Sequence, residues 1–162
     1  RILTQQEVLE GYTAFGKHLT FDFIESAFSR GDICNGVLVD GQWVGFDWRS
    51  YTCAPHGDGL WVRFKRPYRY GYKGYVMPEY RGLRIMDTTA SDAYCISKGF
   101  SRTVLYIDLK NLPSLKNNLR RDFFERYGFV FILRLFGKRY LLHTPGLKKI
   151  GFEFYEHDPD CN

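Results

Sequence analysis

The stretch Tyr75-Val-Met-Pro-Glu-Tyr-Arg-Gly-Leu-Arg-Ile-Met86 combines an apolar strand end, a proline, a polar turn and the start of a predicted helix. The first N–H groups of a helix have no acceptor within the helix, and the helix dipole adds partial positive charge at that end. Arg81 and Arg84 flank the turn. The stretch therefore predicts an anion-binding site at a strand-to-helix corner.

Around this corner, the sequence predicts alternating helices and strands. A capping box at Thr4 and Glu7 predicts a first helix that ends before Gly16, and a second helix ends at Gly31. The apolar runs 33–39 and 42–48, joined by Asp40-Gly41, are typical of a hairpin with a type I′ turn. Further strands are predicted at 60–65, 75–77, 104–109, 129–136, 139–142 and 150–155, helices from 82 to 97 and from 111 to 126, and a turn at 66–74. The strands 75–77 and 104–109 would be parallel, since a helix connects them.

The composition is that of one folded domain, which we expect to span residues 1–162. The chain is 44% hydrophobic and 18% aromatic, enough for a sizeable core. It contains neither an apolar run of ~18 residues nor a signal-peptide pattern, so we expect a cytoplasmic protein without a membrane span. The four cysteines include no CxxC pair, which favours reduced thiols and gives no metal site. A net charge of +5 favours an anionic partner of unspecified kind.

The corner resembles the acetyl-CoA site of the GNAT superfamily of acyltransferases. In that family the pattern Q/R-x-x-G-x-G/A holds the CoA pyrophosphate with backbone amides, and Arg81 matches its first residue. Arg84 and Met86 stand where the family has glycines. The resemblance implies a mixed α/β GNAT-like fold, with a central twisted mixed sheet of about six or seven strands and helices on both faces. It also implies acetyl-CoA binding at Val76, Met77, Arg81, Gly82, Leu83, Arg84, Ile85, Met86, Asn111 and Ser114.

Asn111 and Ser114 enter this set through a second motif, an asparagine after the next strand. In the family this asparagine and the following helix contact the pantetheine and adenosine arms of CoA. Counting back from Gly128-Phe129 points instead to Asn117, but Asn111 follows the strand directly and is preferred. The alternative interpretation of Asn111 is an ordinary helix N-cap.

Acyl transfer to an amine needs a base, an oxyanion donor and an acid. The resemblance implies a backbone N–H of Val76 or Met77 as the donor. Many family members have a tyrosine acid four residues before the Gly-Phe glycine; this chain has Phe124 there, and Tyr127 is the nearest substitute. The candidate bases are Glu79, Asp47, Asp108 and His56, with a solvated turn as the alternative for Glu79 and an exposed sheet face for Asp47. We expect burial to raise the pKa of Asp47 and to give Asp108 a partner.

Three functions remain open from sequence. The first is an acyl-CoA-dependent N-acyltransferase, transferring acetyl from acetyl-CoA to a small-molecule, peptide or protein amine, with a homodimer as one option for its assembly. The second is a GNAT-shaped CoA-binding or regulatory module without efficient catalysis. The third is a nucleic-acid-binding domain that uses the basic aromatic stretch 61–75, where base stacking competes with a simpler interpretation as a basic sheet face whose aromatics cover the core.

Overall fold

The computed structural model describes residues 1–83, 85–120 and 124–156, and these ranges contain ten strands and five α-helices. The strands are β1 (Ile2–Leu3), β2 (Ile33–Val39), β3 (Gln42–Ser50), β4 (Cys53–Gly57), β5 (Leu60–Arg63), β6 (Tyr68–Val76), β7 (Arg102–Leu105), β8 (Val130–Leu135), β9 (Lys138–His143) and β10 (Glu153–Tyr155). The helices are α1 (Gln5–Gly11), α2 (Phe21–Ser29), α3 (Thr89–Ser97), α4 (Leu112–Leu119) and α5 (Pro145–Lys149). Short 3-10 segments, Tyr12–His18 and Pro78–Tyr80, follow α1 and β6.

The largest sheet joins β1, β2, β3, β6 and β7 in that order. Its pairs are antiparallel except β6 and β7, which run parallel and are connected through α3. The predicted mixed α/β class and the parallel crossover are therefore confirmed. The described part of this sheet has five strands rather than six or seven, because β4, β5 and β10 form a separate sheet and β8 and β9 form a third.

Helices lie on both faces of the largest sheet, as predicted. On one face, Phe23 of α2 packs edge-on against Trp48 of β3, with ring centroids 5.2 Å apart. On the other face, Cys95 of α3 is fully buried in a small cluster with Ile33 and Phe100. The main core lies on the α2 side and is built largely from aromatic side chains of β3 and β6.

Two of the hairpins, β2–β3 and β8–β9, have the turn geometry that their sequences favour. Asp40 and Gly41 have φ angles of 49° and 81°, the positive values that a type I′ turn requires. Phe136 and Gly137 repeat this at the β8–β9 turn, with φ angles of 50° and 73°. The capping box of α1 is present, since the Thr4 side chain accepts from the Glu7 N–H and the Glu7 carboxylate accepts from the Thr4 N–H.

The prediction of a turn at 66–74 is wrong, because Tyr68–Val76 forms β6, an interior strand of the largest sheet between β3 and β7. Tyr68, Tyr70 and Tyr72 alternate with small or basic residues, and all three rings are buried. A tyrosine at every second position satisfies the period of a strand, and this outweighs the local turn preference of glycine. The strand β4 and the helix α5 were also missed.

The predicted helix after Gly82 begins later than expected, at Thr89. Asp108, predicted inside a buried strand, is exposed in the turn after β7, which ends at Leu105. The helix predicted at 111–126 ends as α4 at Leu119, residues 121–123 lie outside the described residues, and 124–129 are not helical.

The cysteines follow the prediction only in part. Cys34 and Cys95 are free and buried. Cys53 is disulfide-bonded, so the prediction of reduced thiols throughout the chain is wrong for this residue. Among the described helices, none is both long enough and apolar enough to cross a membrane.

Candidate functional site

The strands β6 and β7 run parallel only over the first part of β6 and then separate. Their parallel pairing ends at Gly71 and Leu105, whereas β6 continues to Val76 and stays paired with β3 on its other side. No described strand pairs with residues 72–76 on the edge that faces β7. A strand with one open edge presents backbone N–H and C=O groups to a ligand, so this edge can bind an extended amide chain.

Alternation along β6 decides which backbone groups face the open edge. The Met77 N–H donates to the carbonyl of Val44 in β3 at 2.9 Å. Successive residues of a strand direct their N–H groups to opposite edges, so the Val76 N–H faces the open edge. Of the two N–H groups predicted as oxyanion donors, the geometry therefore leaves that of Val76 available.

A β-bulge lies at the point where the two strands part. Phe46 pairs with Tyr75 and Trp48 pairs with Tyr72, so two residues of β6, Lys73 and Gly74, oppose a single residue of β3. Lys73 has a φ of 48°, in the left-handed region that non-glycine residues rarely adopt. The bulge bends β6 and exposes its edge beside β7.

A cavity of about 440 Å³ opens next to this bulge, on the α2 face of the sheet. The residues that line it come from α2, β4, β6 and the turn after β7: Phe23, Pro55, His56, Gly57, Tyr70, Tyr72, Lys73 and Tyr106. The size falls in the range of about 300–1,000 Å³ that is typical of small-molecule sites. The cavity and the open edge of β6 meet at Tyr72 and Lys73, so a ligand in one can reach a ligand on the other.

His56 is the histidine among the residues that line the cavity. Its ring packs edge-on against Tyr106 and Phe154, with centroids 4.7 Å and 4.6 Å away. Burial lowers the pKa of His56, and the carboxylates of Asp108 and Asp58 oppose this shift. The imidazole is therefore neutral near pH 7 and can accept a proton, which makes His56 the candidate base that lies in the cavity.

Asp47 lies on the other face of the sheet and is buried, so the predicted burial is confirmed and an exposed face is wrong. Burial raises its pKa, while the Arg49 guanidinium with which it is paired acts in the opposite direction. Asn35 Nδ2 donates to Asp47 Oδ1 at 3.0 Å and to the Asp87 carbonyl at 3.1 Å. These contacts connect β2, β3 and the segment before α3, which gives Asp47 an evident structural role.

Residues 77–83 and 85–88 form a 3-10 turn and an irregular loop before α3. Glu79 is exposed in the 3-10 turn, and Arg81 folds back so that its Nε donates to the Val76 carbonyl at 2.9 Å and its guanidinium lies 5.4 Å from the Tyr75 ring centroid. Gly82 has a φ of 82°, and Leu83 is exposed. Ile85 and Met86 are half-buried, and Arg84 lies outside the described residues.

The N-terminus of α3 already holds a carboxylate. Asp87 Oδ1 accepts from the Thr89 N–H at 2.9 Å and from its hydroxyl at 2.6 Å. These hydrogen bonds lower the pKa of Asp87, so it is ionised at neutral pH. Asp92 adds a second acidic side chain in the first turn, paired with Arg69. An anion approaching this helix end would meet negative charge, unlike the site predicted from sequence.

The second sequence motif, Asn111 with Ser114, forms the N-terminal cap of α4. Asn111 Oδ1 accepts from the Ser114 N–H at 3.3 Å, as an N-cap of α4. The Ser114 hydroxyl lies 3.4 Å from Asn118 Nδ2. The alternative interpretation of Asn111 as an N-cap is therefore confirmed, and CoA contacts by Asn111 and Ser114 stay a prediction.

Tyr127 lies far from the open edge of β6. Its hydroxyl accepts from that of Tyr68 at 3.2 Å, and this hydrogen bond raises the pKa of Tyr127 to about 12. Tyr68 begins β6 and Val76 ends it, roughly 25 Å apart at the usual rise of a strand. The predicted acid role of Tyr127 gains no support from this position, and Glu79, Asp47 and Tyr127 lie in three separate environments.

The cavity residues were mostly missed from sequence. Tyr70, Tyr72 and Lys73 were placed in a turn, and Phe23 and Tyr106 were read only as core or strand positions. The period-2 tyrosines were the available signal for β6. His56 reaches the site because β4, which pairs with β5 in a separate sheet, packs near β6, and this tertiary contact has no local sequence pattern.

Neither the known protein families nor the curated proteins contain a match to this chain. Among the described residues, no group of three or more His, Cys, Asp or Glu side chains is placed to hold a metal ion. A structure search matches the chain to a Xanthomonas campestris pv. campestris protein provisionally named an acetyltransferase of the GNAT family. The identity is 19% and the TM-score 0.38, over 76% of this chain and 82% of that one.

Proposed function

We propose that the protein is an acyl-CoA-dependent N-acyltransferase that transfers acetyl, or a related acyl group, to a primary amine. The observation that carries the proposal is the parting of β6 and β7 beside a small-molecule-sized cavity. The parting leaves an open backbone edge for an extended amide-containing chain, and the cavity leaves room for a second substrate next to it. Two adjoining sites of this kind are what a direct transfer between two bound substrates requires.

In this proposal the thioester arm of acyl-CoA runs along the open edge, with the acyl carbonyl at Val76. The Val76 N–H would stabilise the oxyanion that forms when the amine attacks the carbonyl carbon. Tyr72 at the cavity and Val76 are about 13 Å apart along β6, so the proton that the attacking amine loses would pass to His56 through water in the cavity. The C–S bond would then break to release CoA thiolate. No described acid lies at the edge, and a thiolate leaving group needs less help from an acid than an amine does.

The phosphate groups would be held by the loop 78–86 rather than by the N-terminus of α3. Arg81 lies at the end of the open edge, where its guanidinium is in reach of a chain that continues past Val76. Backbone amides of Gly82, Leu83, Ile85 and Met86 are the other groups predicted here. The carboxylate of Asp87 argues against a site directly on the helix end.

The first experiment is a thermal-unfolding screen of the full chain with acetyl-CoA and other CoA thioesters. A ligand that binds only the folded state increases the free energy of unfolding by mass action, by about 2.7 kcal/mol at a ligand concentration of 100 times Kd, and therefore raises Tm. Arg81→Ala should reduce the shift. The proposal fails if no CoA thioester at millimolar concentration stabilises the protein.

Val76→Pro tests the open edge directly. Proline removes the Val76 N–H, which no β3 residue uses, so the substitution should leave the ladder with β3 in place. We expect acetyl-CoA to bind about fivefold more weakly and transfer to fall by about 10²–10³. Val76→Ala keeps the N–H and is the matched control; equal losses in both variants would contradict the role of that group.

A nucleic-acid-binding role for residues 61–75 is not proposed. Base stacking needs exposed rings, but Phe64, Tyr68, Tyr70 and Tyr72 are buried, as in the simpler interpretation weighed from sequence. Arg69 is also buried and paired with Asp92.

The CoA-binding module without turnover differs from the enzyme in one measurement, because CoA would bind but no amine in a broad panel would consume acetyl-CoA. The homodimer stays a prediction.

A further inference from the structure

We propose that the acceptor is a small primary amine that also carries a carboxylate and a flat apolar body, of the kind found in aromatic amino acids. This inference rests on the proposed function, since it assigns the cavity beside β6 to the acceptor. It names the acceptor class, which the open edge and its N–H group leave undefined.

The walls of the cavity are suited to a flat apolar group. Tyr70 and Tyr72 stack nearly parallel, with centroids 5.7 Å apart and planes at 7°, and both are buried. Phe23 and Tyr106 add two more rings, and Pro55 adds an aliphatic wall. Aromatic side chains placed around a slot favour another ring through offset or edge-on contacts.

Lys73 supplies the positive charge. Its ammonium lies 4.2 Å from the centroid of Phe23, at the mouth of the cavity where β6 bulges. Partial burial lowers the pKa of Lys73, so an anionic ligand beside it would gain a partner and reduce that penalty. A lysine in a left-handed conformation is less favourable there than glycine would be, and this points to a use for its side chain.

The charges around the cavity distinguish between ligand classes. Aromatic rings alone would suit a cation such as a quaternary ammonium group. Here Lys73 already occupies the face of Phe23, and the described lining residues include no carboxylate. Asp58 and Asp108, whose charges act on His56, are exposed and do not line the cavity. Asp32 is buried behind the Tyr72 hydroxyl and paired with Arg30, so it does not face the ligand.

The same cation assists the reaction. A positive charge near the bound amine disfavours its ammonium form, which lowers the pKa that His56 must overcome. A carboxylate held by Lys73 would fix the amine relative to the open edge. Recognition of the carboxylate and activation of the amine would then depend on one residue.

The test is a calorimetric titration of the full chain with four probes: L-phenylalanine, phenethylamine without the carboxylate, 3-phenylpropanoate without the amine, and glycine without the ring. We expect L-phenylalanine to bind more tightly than phenethylamine and glycine, each by about tenfold, the worth of one charge-assisted hydrogen bond or a buried ring. Equal binding of L-phenylalanine and phenethylamine, or no binding of L-phenylalanine at millimolar concentration, would overturn the proposal.

Variants separate Lys73 from general effects. Lys73→Gln should weaken L-phenylalanine about tenfold and leave phenethylamine unchanged, whereas Lys73→Arg should restore binding. Lys98→Gln is the matched control, because Lys98 is also exposed with its ammonium 5.5 Å from an aromatic ring, that of Tyr94, outside the cavity. An unchanged affinity in Lys73→Gln would refute the assignment.

The titration is repeated with saturating CoA. Unchanged or tighter binding of L-phenylalanine supports two adjoining sites, whereas complete loss would show that CoA fills the cavity and would overturn the proposal. The readout requires no acyl transfer. Binding of L-phenylalanine without any thermal stabilisation by CoA thioesters would therefore defeat the proposed function and leave the cavity assignment standing.

Discussion

Tyr72→Phe tests the buried network behind the cavity. The Tyr72 hydroxyl donates to Asp32 Oδ2 at 2.6 Å and accepts from Arg30 at 3.2 Å, and Arg30 also pairs with Asp32 at 2.9 Å. Asp32 is 2% exposed, so removal of the hydroxyl leaves a carboxylate with fewer partners in a dry environment. A hydrogen bond to a charged group is worth about 1.5–3 kcal/mol, and the remaining Arg30 contact places the cost near the lower end.

The loss should depend on pH. Burial raises the pKa of Asp32 above its ordinary value of 3.8, and the bond from Tyr72 counteracts this shift. A raised folded-state pKa means that the stability present below pH 3.8 is lost as the pH rises through the folded pKa. Without the hydroxyl the charged carboxylate is penalised further, so the cost of Tyr72→Phe should be largest at neutral pH. It should shrink to about 1 kcal/mol once Asp32 is protonated.

The assay is urea unfolding of wild type and variant at neutral and acidic pH. The matched control is Tyr70→Phe, since the Tyr70 ring is also buried in the cavity wall but its hydroxyl forms no hydrogen bond within the described residues. A loss of about 2 kcal/mol at neutral pH corresponds to roughly 4–8 °C in Tm for a chain of this size. Equal costs for the two variants at both pH values would refute the reasoning.

Three further predictions address the site. Gly71→Ala should lower the free energy of unfolding in urea by about 1–3 kcal/mol, because a Cβ there would lie 2.5 Å from Leu105 Cδ2 and 2.7 Å from Arg49 Nη1. An unchanged stability would contradict the close approach of β6 and β7 at Gly71. Asp87→Asn keeps a capping side chain but removes the charge, so calorimetry at low salt should show acetyl-CoA binding about two- to fivefold more tightly with little change in Tm, and weaker binding would contradict the loop assignment. The transfer rate should be constant above pH 6.5 and fall below the lowered pKa of His56, and an unchanged profile in His56→Gln would remove it as the base.

Features encoded within a few adjacent residues could be predicted from sequence. Asp40-Gly41 specifies its turn through two positive φ angles, and Thr4 with Glu7 specifies a helix start through reciprocal hydrogen bonds. The parallel crossover followed from a strand, a helix and a strand in succession. Each of these depends on short-range chemistry, which a single sequence carries in full.

Features decided by tertiary contacts could not be predicted from sequence. The segment 66–74 contains proline and glycines, and only its pairing with β3 on one side and β7 on the other makes it a central strand. Asp108 looked buried because the apolar run 104–107 precedes it, yet the strand ends at Leu105 and leaves it in solvent. His56 reaches the cavity because β4 packs near β6, a contact with no trace in the local sequence.

The two halves of the stretch from Tyr75 to Met86 carry different chemistry. The strand half supplies an open edge through the alternation of its backbone groups, so the N–H at Val76 is independent of side-chain identity. The loop half depends on which charges surround it, and Asp87 places a carboxylate on the end of α3. Phosphate affinity can therefore be weak in this chain without affecting the geometry of transfer, because the edge and the helix end are separated by the whole loop 77–88. In the proposed function, the acyl end of the donor would therefore be held by a backbone group and the nucleotide end by the charges of a loop.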